Sequence, residues 1–242
     1  GKNLLLTPGI YTLDKPITVE EKDTIIYGMG LATLVSTNGN ACMVTSDADG
    51  IKVCGVLFEA GDKQSETLLK VGNEKAEVSH SDNPICFSDV YFRVGGANYK
   101  GKVKNCVTIN SNDVIGDNFW VWRADHGDNV GWDMNTAPNG IVINGDNVTM
   151  YGLFVEHFQE YQTIWNGNGG KLYFYQSEMP YDAPNQKYYM SHNGKVKGYA
   201  SFKIGDEVND FYGCGLGIYC YNRDANIEIF SGAEIPNKDG VE

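Results

Sequence analysis

Three carboxylic acids draw attention by type and spacing: Asp125, Glu156 and Glu178 lie 31 and 22 residues apart, and His126 and His157 directly follow the first two. Brought to within about 5 Å of one another, such groups resist full ionisation, and at least one holds a proton near neutral pH. A protonated carboxylic acid beside an ionised one is the equipment for cleaving a glycosidic bond. The acid protonates the leaving oxygen while a second group positions water or attacks the sugar. Glu178 and Glu156 are therefore the candidate catalytic pair. The sequence around them is aromatic, with Trp120, Trp122, Phe154, Tyr161, Trp165, Tyr175 and Tyr181, and flat rings stack on the apolar faces of sugars as well as filling cores.

Each of these residues also has a plainer reading. A glutamate at a strand end in an acidic chain is by default solvated surface. Asp125 and His126 read equally as a hydrogen-bonded turn. His157 suits packing or hydrogen bonding better than metal ligation, because no third ligand follows at zinc spacing. Arg93 and Arg123, if they face the acids, would turn them into an inert ladder of ion pairs.

What would bring the three acids together is a repeated element. Five β-rich runs can be laid over one another: 51–59, 85–93, 114–125, 148–156 and 172–178. Each ends in a charged residue, Glu59, Arg93, Asp125, Glu156 or Glu178, at intervals of 34, 32, 31 and 22. A recurring strand with loops of variable length is how a solenoid reads. Stacked coils sit about 4.8 Å apart, so the end positions are expected to form a column. No stretch keeps helical periodicity, and Asn-Gly pairs at Asn38, Asn139, Asn144, Asn166 and Asn193 supply residues that tolerate left-handed corners. The expected fold is all-β, a right-handed parallel β-helix of the pectate-lyase-like kind. Pro180 cannot donate to a further ladder bond, which leaves Glu178 at the lip of a groove.

The 242 residues are read as one β-helix domain, 1–242, and as a fragment of a larger protein, since strand-like sequence begins at once after Gly1 and nothing caps the end at Glu242. The net charge of -12 repels nucleic acid, anionic membranes and polyanionic polysaccharides, and favours a neutral polysaccharide or oligosaccharide as partner. No apolar run reaches the roughly 18 residues of a membrane span. Six cysteines show no metal-ligand spacing and read as small buried hydrophobes, with Cys214 and Cys220 the pair best placed for a disulfide.

The segments Trp120-Val121-Trp122-Arg123-Ala124-Asp125-His126, Tyr151-Gly152-Leu153-Phe154-Val155-Glu156-His157, Tyr161-Gln162 and Gln176-Ser177-Glu178-Met179-Pro180-Tyr181 resemble glycoside hydrolase family 55. Its members are β-1,3-glucanases built from two β-helices side by side. The resemblance implies an inverting exo-β-1,3-glucanase-like activity with Glu178 as general acid and Glu156 in the same cleft. Asp125, His126, His157, Gln162, Gln176, Tyr181 and Trp122 are then substrate-binding. It also implies that this chain forms one wall of the cleft, with further domains of the same polypeptide supplying the other, and a secreted or cell-surface location. No cofactor is expected. Two rival readings stay open on the residues alone: a lyase binding Ca²⁺ through clustered carboxylates, and a non-catalytic carbohydrate-binding or adhesin module.

Overall fold

A computed structural model describes residues 2–74, 76 and 78–242. Two sheets run the length of the molecule. One has nine strands: Leu4–Leu6, Ile10–Leu13, Ile25–Ser36, Lys52–Glu59, Cys86–Val94, Ile115–Arg123, Thr149–Glu156, Gly170–Glu178 and Phe211–Tyr219. The other has eight: Ile17–Val19, Met43–Thr45, Ser65–Val71, Val103–Ile109, Asn139–Ile143, Thr163–Trp165, Phe202–Ile204 and Ala233–Glu234. The chain alternates between them, and all neighbours within both sheets are parallel. This is a parallel β-helix, as the repeated runs require.

Alternation decides which side chains meet inside. In the nine-stranded sheet Leu34, Phe58, Phe92, Val121, Val155 and Ser177 occupy one inward row. Phe58 and Phe92 stack with centroids 5.0 Å apart. The core is continuous, from Leu6 to Phe211. Cys42 and Cys106 are buried within it, where burial pushes both thiols up, that of Cys42 to about 12. All six cysteines are free thiols. Cys214 lies within the extended strand Phe211–Tyr219 and Cys220 just beyond it, so about 20 Å of strand separates them and even this pair, the best placed in the sequence, cannot close a disulfide.

An asparagine ladder fixes one corner. Asn166 donates to the side-chain oxygen of Asn144 at 2.8 Å, and Asn144 to that of Asn110 at 2.8 Å. The glycines after Asn144 and Asn166 serve close approach rather than a left-handed turn: a Cβ at Gly145 would stand 1.9 Å from the Ser111 carbonyl oxygen, and one at Gly167 1.8 Å from that of Gly145. A second feature was not foreseen. Gly55, Asp89, Asn118, Gly152, Phe174 and Gly215 all have positive φ and fall between paired positions of successive strands. Six successive strands of this sheet therefore kink at the same place. Most of these residue types tolerate that conformation; Phe174, at φ 64, bears the strain of a bulky side chain there.

At another corner His80 is buried between two carboxylates, Nε2 2.9 Å from Asp47 and Nδ1 2.7 Å from Asp49. Burial disfavours the charged ring, but the bonds to Asp47 and Asp49 outweigh it and raise its pKa above 6.5. A raised folded-state value stabilises the fold fully below the unfolded value and ceases to do so as the pH rises through the folded one. We expect His80→Gln to remove that pH dependence: thermal melts of the two proteins should differ most at mildly acidic pH and converge as the pH rises above the raised value.

Candidate active site

Register brings the two glutamates together. Glu156 and Glu178 are Cα partners at the ends of adjacent strands, and the outward row continues through Trp122, Arg93 and Glu59 in one direction and Tyr219 in the other. The expected third acid of the row, Asp125, is not in it. Pairing holds Trp122 opposite Glu156, and the strand ends at Arg123, so Asp125 arrives from the turn beyond. It still reaches the site, with its Oδ1 3.6 Å from His157 Nε2.

Each carboxylate has assigned neighbours. Trp120 Nε1 donates to Glu156 Oε2 at 2.8 Å. Gln176 Nε2 donates to Glu178 Oε1 at 3.2 Å, and the Tyr181 hydroxyl donates to Glu178 Oε2. His157 is 3% exposed, packs edge-on against Tyr181 with centroids 4.4 Å apart, and points Nδ1 at the Met179 carbonyl oxygen, 3.2 Å away. Its Nε2 then faces both Asp125 Oδ1 and Glu178 Oε2, each at 3.6 Å. With Nδ1 donating, a neutral ring turns a lone pair toward two acceptor oxygens. One proton on Nε2 or on a facing carboxyl turns that opposition into a bridge.

The electrostatics separate the acids. Burial, with the fields of Glu178 and Asp125, raises the Glu156 carboxyl above the ordinary glutamate value despite the bond from Trp120. Burial also works to raise Asp125, but His157 and His126 outweigh it and hold its carboxyl low. Burial lowers the pKa of His157 against the pull of Asp125 and Glu178. Glu156 and Asp125 are thus shifted in opposite directions, as acid and base assignments require. His126 itself is largely exposed, bonded to Asp125 at 2.8 Å and tilted against Trp122 at 5.2 Å.

Neither arginine neutralises the pair. Arg93 is bound to Glu59 at 2.9 Å. Arg123 points inward, fully buried, and donates to Asp182 Oδ1 and Oδ2 at 2.9 and 2.7 Å, to the His157 carbonyl at 3.0 Å and to the Asn135 carbonyl at 2.8 Å. Asp182 and Asn135 were missed in the sequence; the alternation Phe119, Val121, Arg123 was the available signal that this guanidinium lies inside. Gln162 is a correction of a different kind. It is fully buried, accepting from Phe158 N–H at 2.7 Å and donating to Phe158 C=O at 2.9 Å, so it shapes the turn after His157 and cannot touch a ligand in the cleft. Among the described residues no group of three or more His, Cys, Asp or Glu stands in metal-holding geometry.

Two features extend the site. The Gln176 Oε1 is buried without a hydrogen-bond partner, an acceptor left open beside the glutamates. A largely apolar hollow of about 310 Å³, lined by Leu31, Leu57, Tyr91, Phe92, Arg93, Trp120 and Trp122, continues the face away from them.

Comparison with known proteins follows the same geometry. Residues 1–178 match the LAM55 pectate lyase-like domain. All 242 residues align, at 46% identity, with an exo-beta-1,3-glucanase of Streptomyces sp. (strain SirexAA-E / ActE), and the chain spans 40% of that relative's length. The solved structure of sacteLam55A from Streptomyces sp. SirexAA-E superposes with a TM-score of 0.95 at 46% identity over 99% of this chain and 43% of that one. A glutamate-to-alanine variant of the same protein, refined in complex with glucose, gives 0.94 at 44% identity, with the same shares covered.

Two outcomes follow from the site's construction. Because Glu156 has a folded-state pKa above 4.5, its ionisation costs stability as the pH rises through that value. Glu156→Gln should therefore raise the melting temperature at neutral pH, with the gain vanishing below the ordinary glutamate range. Arg123→Met strands the Asp182 carboxylate in the interior and should cost about 3–5 kcal/mol in denaturant unfolding.

Proposed function

This chain belongs to the LAM55 pectate lyase-like family, and from that premise we propose that it forms the acid-bearing wall of an inverting, exo-acting β-1,3-glucanase working on a neutral glucan. The observation that carries the reading is the pairing of Glu178 with Glu156 on adjacent strands, with Tyr181 and His157 converging on Glu178 Oε2 and Asp125 facing the same His157 nitrogen. Glu178 is the more approachable: its side chain is 28% exposed, against 17% for Asp125 and 3% for His157. It is the proton donor to the leaving oxygen. His157, 3.6 Å from both Asp125 and Glu178, is placed to pass a proton back to Glu178. Burial raises the Glu156 carboxyl, so a second full charge beside Glu178 is disfavoured.

The substrate class follows from chemistry and kinship together. The relative is a β-1,3-glucanase and its neighbour structure holds glucose. The net charge of -12 opposes uronate polymers. The rings of Trp120 and Trp122, stacked at 5.4 Å, and the hollow beside them offer apolar surface to pyranose faces. Trp122 and His126 contact the sugar, and Gln176 acts through Glu178, to which it donates. No cofactor takes part. The outward aromatic face, with Trp120, Tyr151 and Phe174 all exposed, is the surface that further domains of the same polypeptide cover to complete the cleft, and the protein acts outside the cell.

The test is Glu178→Gln in the longest active polypeptide that carries this chain. Turnover of a laminari-oligosaccharide should fall by about 10²–10⁴-fold with binding nearly unchanged, and an aryl glucoside whose leaving group needs no proton should be spared. Wild-type rates in that variant, or tight Ca²⁺-dependent binding of polygalacturonate, would sink the assignment.

A further inference from the structure

In the loop that leads to Ala233–Glu234, the last strand of the eight-stranded sheet, a single ring stands out. Phe230 is 83% exposed, more than any other large hydrophobic side chain among the described residues, yet its backbone is tied down. Its N–H donates to the Lys197 carbonyl at 2.9 Å. Two residues earlier, Glu228 is held through both backbone groups by the Gln186 side chain, at 2.8 and 3.2 Å. Two residues later, the Gly232 carbonyl accepts from Ser201 and Phe202 at 2.9 and 3.2 Å. The ring is therefore presented to solvent by a fixed scaffold, unlike a side chain on a fraying end.

Hollows lie on both sides of it. One, of about 430 Å³, includes His192, Lys203, Asp206 and Glu234 in its lining; the other, of about 470 Å³, includes Lys195, Lys197 and Glu228; Val196 and Phe230 belong to both. Each is in the size range of small-ligand sites. Their charges cancel: three lysines face Asp206, Glu228 and Glu234, on a chain whose overall balance is -12. Lys197 pairs with Glu228 at 2.7 Å, and Lys203 with Glu234 at 3.3 Å while also donating to the Tyr161 hydroxyl at 3.3 Å.

We propose that this groove is a second carbohydrate-binding site, in which Phe230 stacks on a pyranose ring of a neutral glucan and the paired charges on either side bond its hydroxyls. The inference rests on the glucan reading above. A polyanion would need unpaired cations, and an apolar peptide would need more than one ring and a few aliphatic side chains. A sugar matches what is present: hydroxyls that both donate and accept meet ammonium and carboxylate groups, and the apolar face of the ring meets the phenyl. Lys203 and Glu234 sit on the eight-stranded sheet and Glu178 on the nine-stranded one, so a chain seated here leaves the carboxylates free. The site holds long polymer against the molecule and contributes nothing to the bond-breaking step.

Sedimentation with insoluble linear β-1,3-glucan, and turnover of soluble laminaritriose, test this in the longest polypeptide that carries the chain. Phe230→Ala should weaken polymer binding about tenfold, the scale of one stacked ring, and leave trisaccharide turnover unchanged. Lys203→Met should weaken polymer binding in the same direction. Polymer binding that survives both variants overturns the second site while leaving the Glu178 reading intact. Equal loss of trisaccharide turnover in Phe230→Ala overturns it too, because the ring would then serve the catalytic cleft. Protection of Phe230 from hydroxyl-radical footprinting in the sugar-free protein would assign the ring to an internal contact and overturn the proposal. Failure of the wild type to bind β-1,3-glucan or cleave laminaritriose overturns the glucan reading itself.

Discussion

A guanidinium sealed beneath the carboxylates is what the site depends on. Arg123 sends hydrogen bonds to Asn135 and Gly131 in one loop, to the His157 carbonyl in the next and to Asp182 in a third. Three turns that leave three successive strands are thereby tied to one point. Asp182 follows Tyr181, which donates to Glu178, so the position of the exposed acid is set from below. Such a pair adds little net stability, because desolvation offsets the attraction. Its value is geometric: every donor of the group is used, which leaves the loops one arrangement.

Above that anchor, the parallel stack imposes a cost that is also the means of chemistry. Coils at strand spacing must place equivalent side chains side by side, and two glutamates so placed repel. A row of ion pairs would relieve this, as Arg93 does for Glu59. At Glu156 and Glu178 no cation closes the row. The charge is managed by a raised carboxyl on Glu156, by hydrogen bonds from Trp120, Gln176 and Tyr181, and by a histidine turned toward two acids. Proteins retain such uncompensated arrangements chiefly at functional sites.

The fold was legible because its cause is local and repeated: β-rich runs that end alike must stack if each is to bury its inward row. The pair Glu156 and Glu178 was legible for the same reason, lying at equal places in two runs. Asp125 was placed one row too simply, since counting to the end of an apolar run cannot detect that the strand stops at Arg123. Gln162 has the polarity of a sugar contact, and only the turn around Phe158 shows that both ends of its amide are already bonded. The column of left-handed residues was hidden because it mixes Gly, Asp, Asn and Phe, which share a backbone angle and no side-chain property.

The sequence by itself determined that the chain is an all-β solenoid, that two glutamates share a row, and that its charge disfavours anionic partners, because composition, alternation and spacing are properties of the chain read in order. Only the tertiary structure decided which acid its surroundings raise and which they lower, which arginine is buried, that Tyr181 and His157 meet at Glu178, and that Phe230 stands exposed between two hollows. Those are distances between residues far apart in the sequence, and burial and electric field depend on such distances.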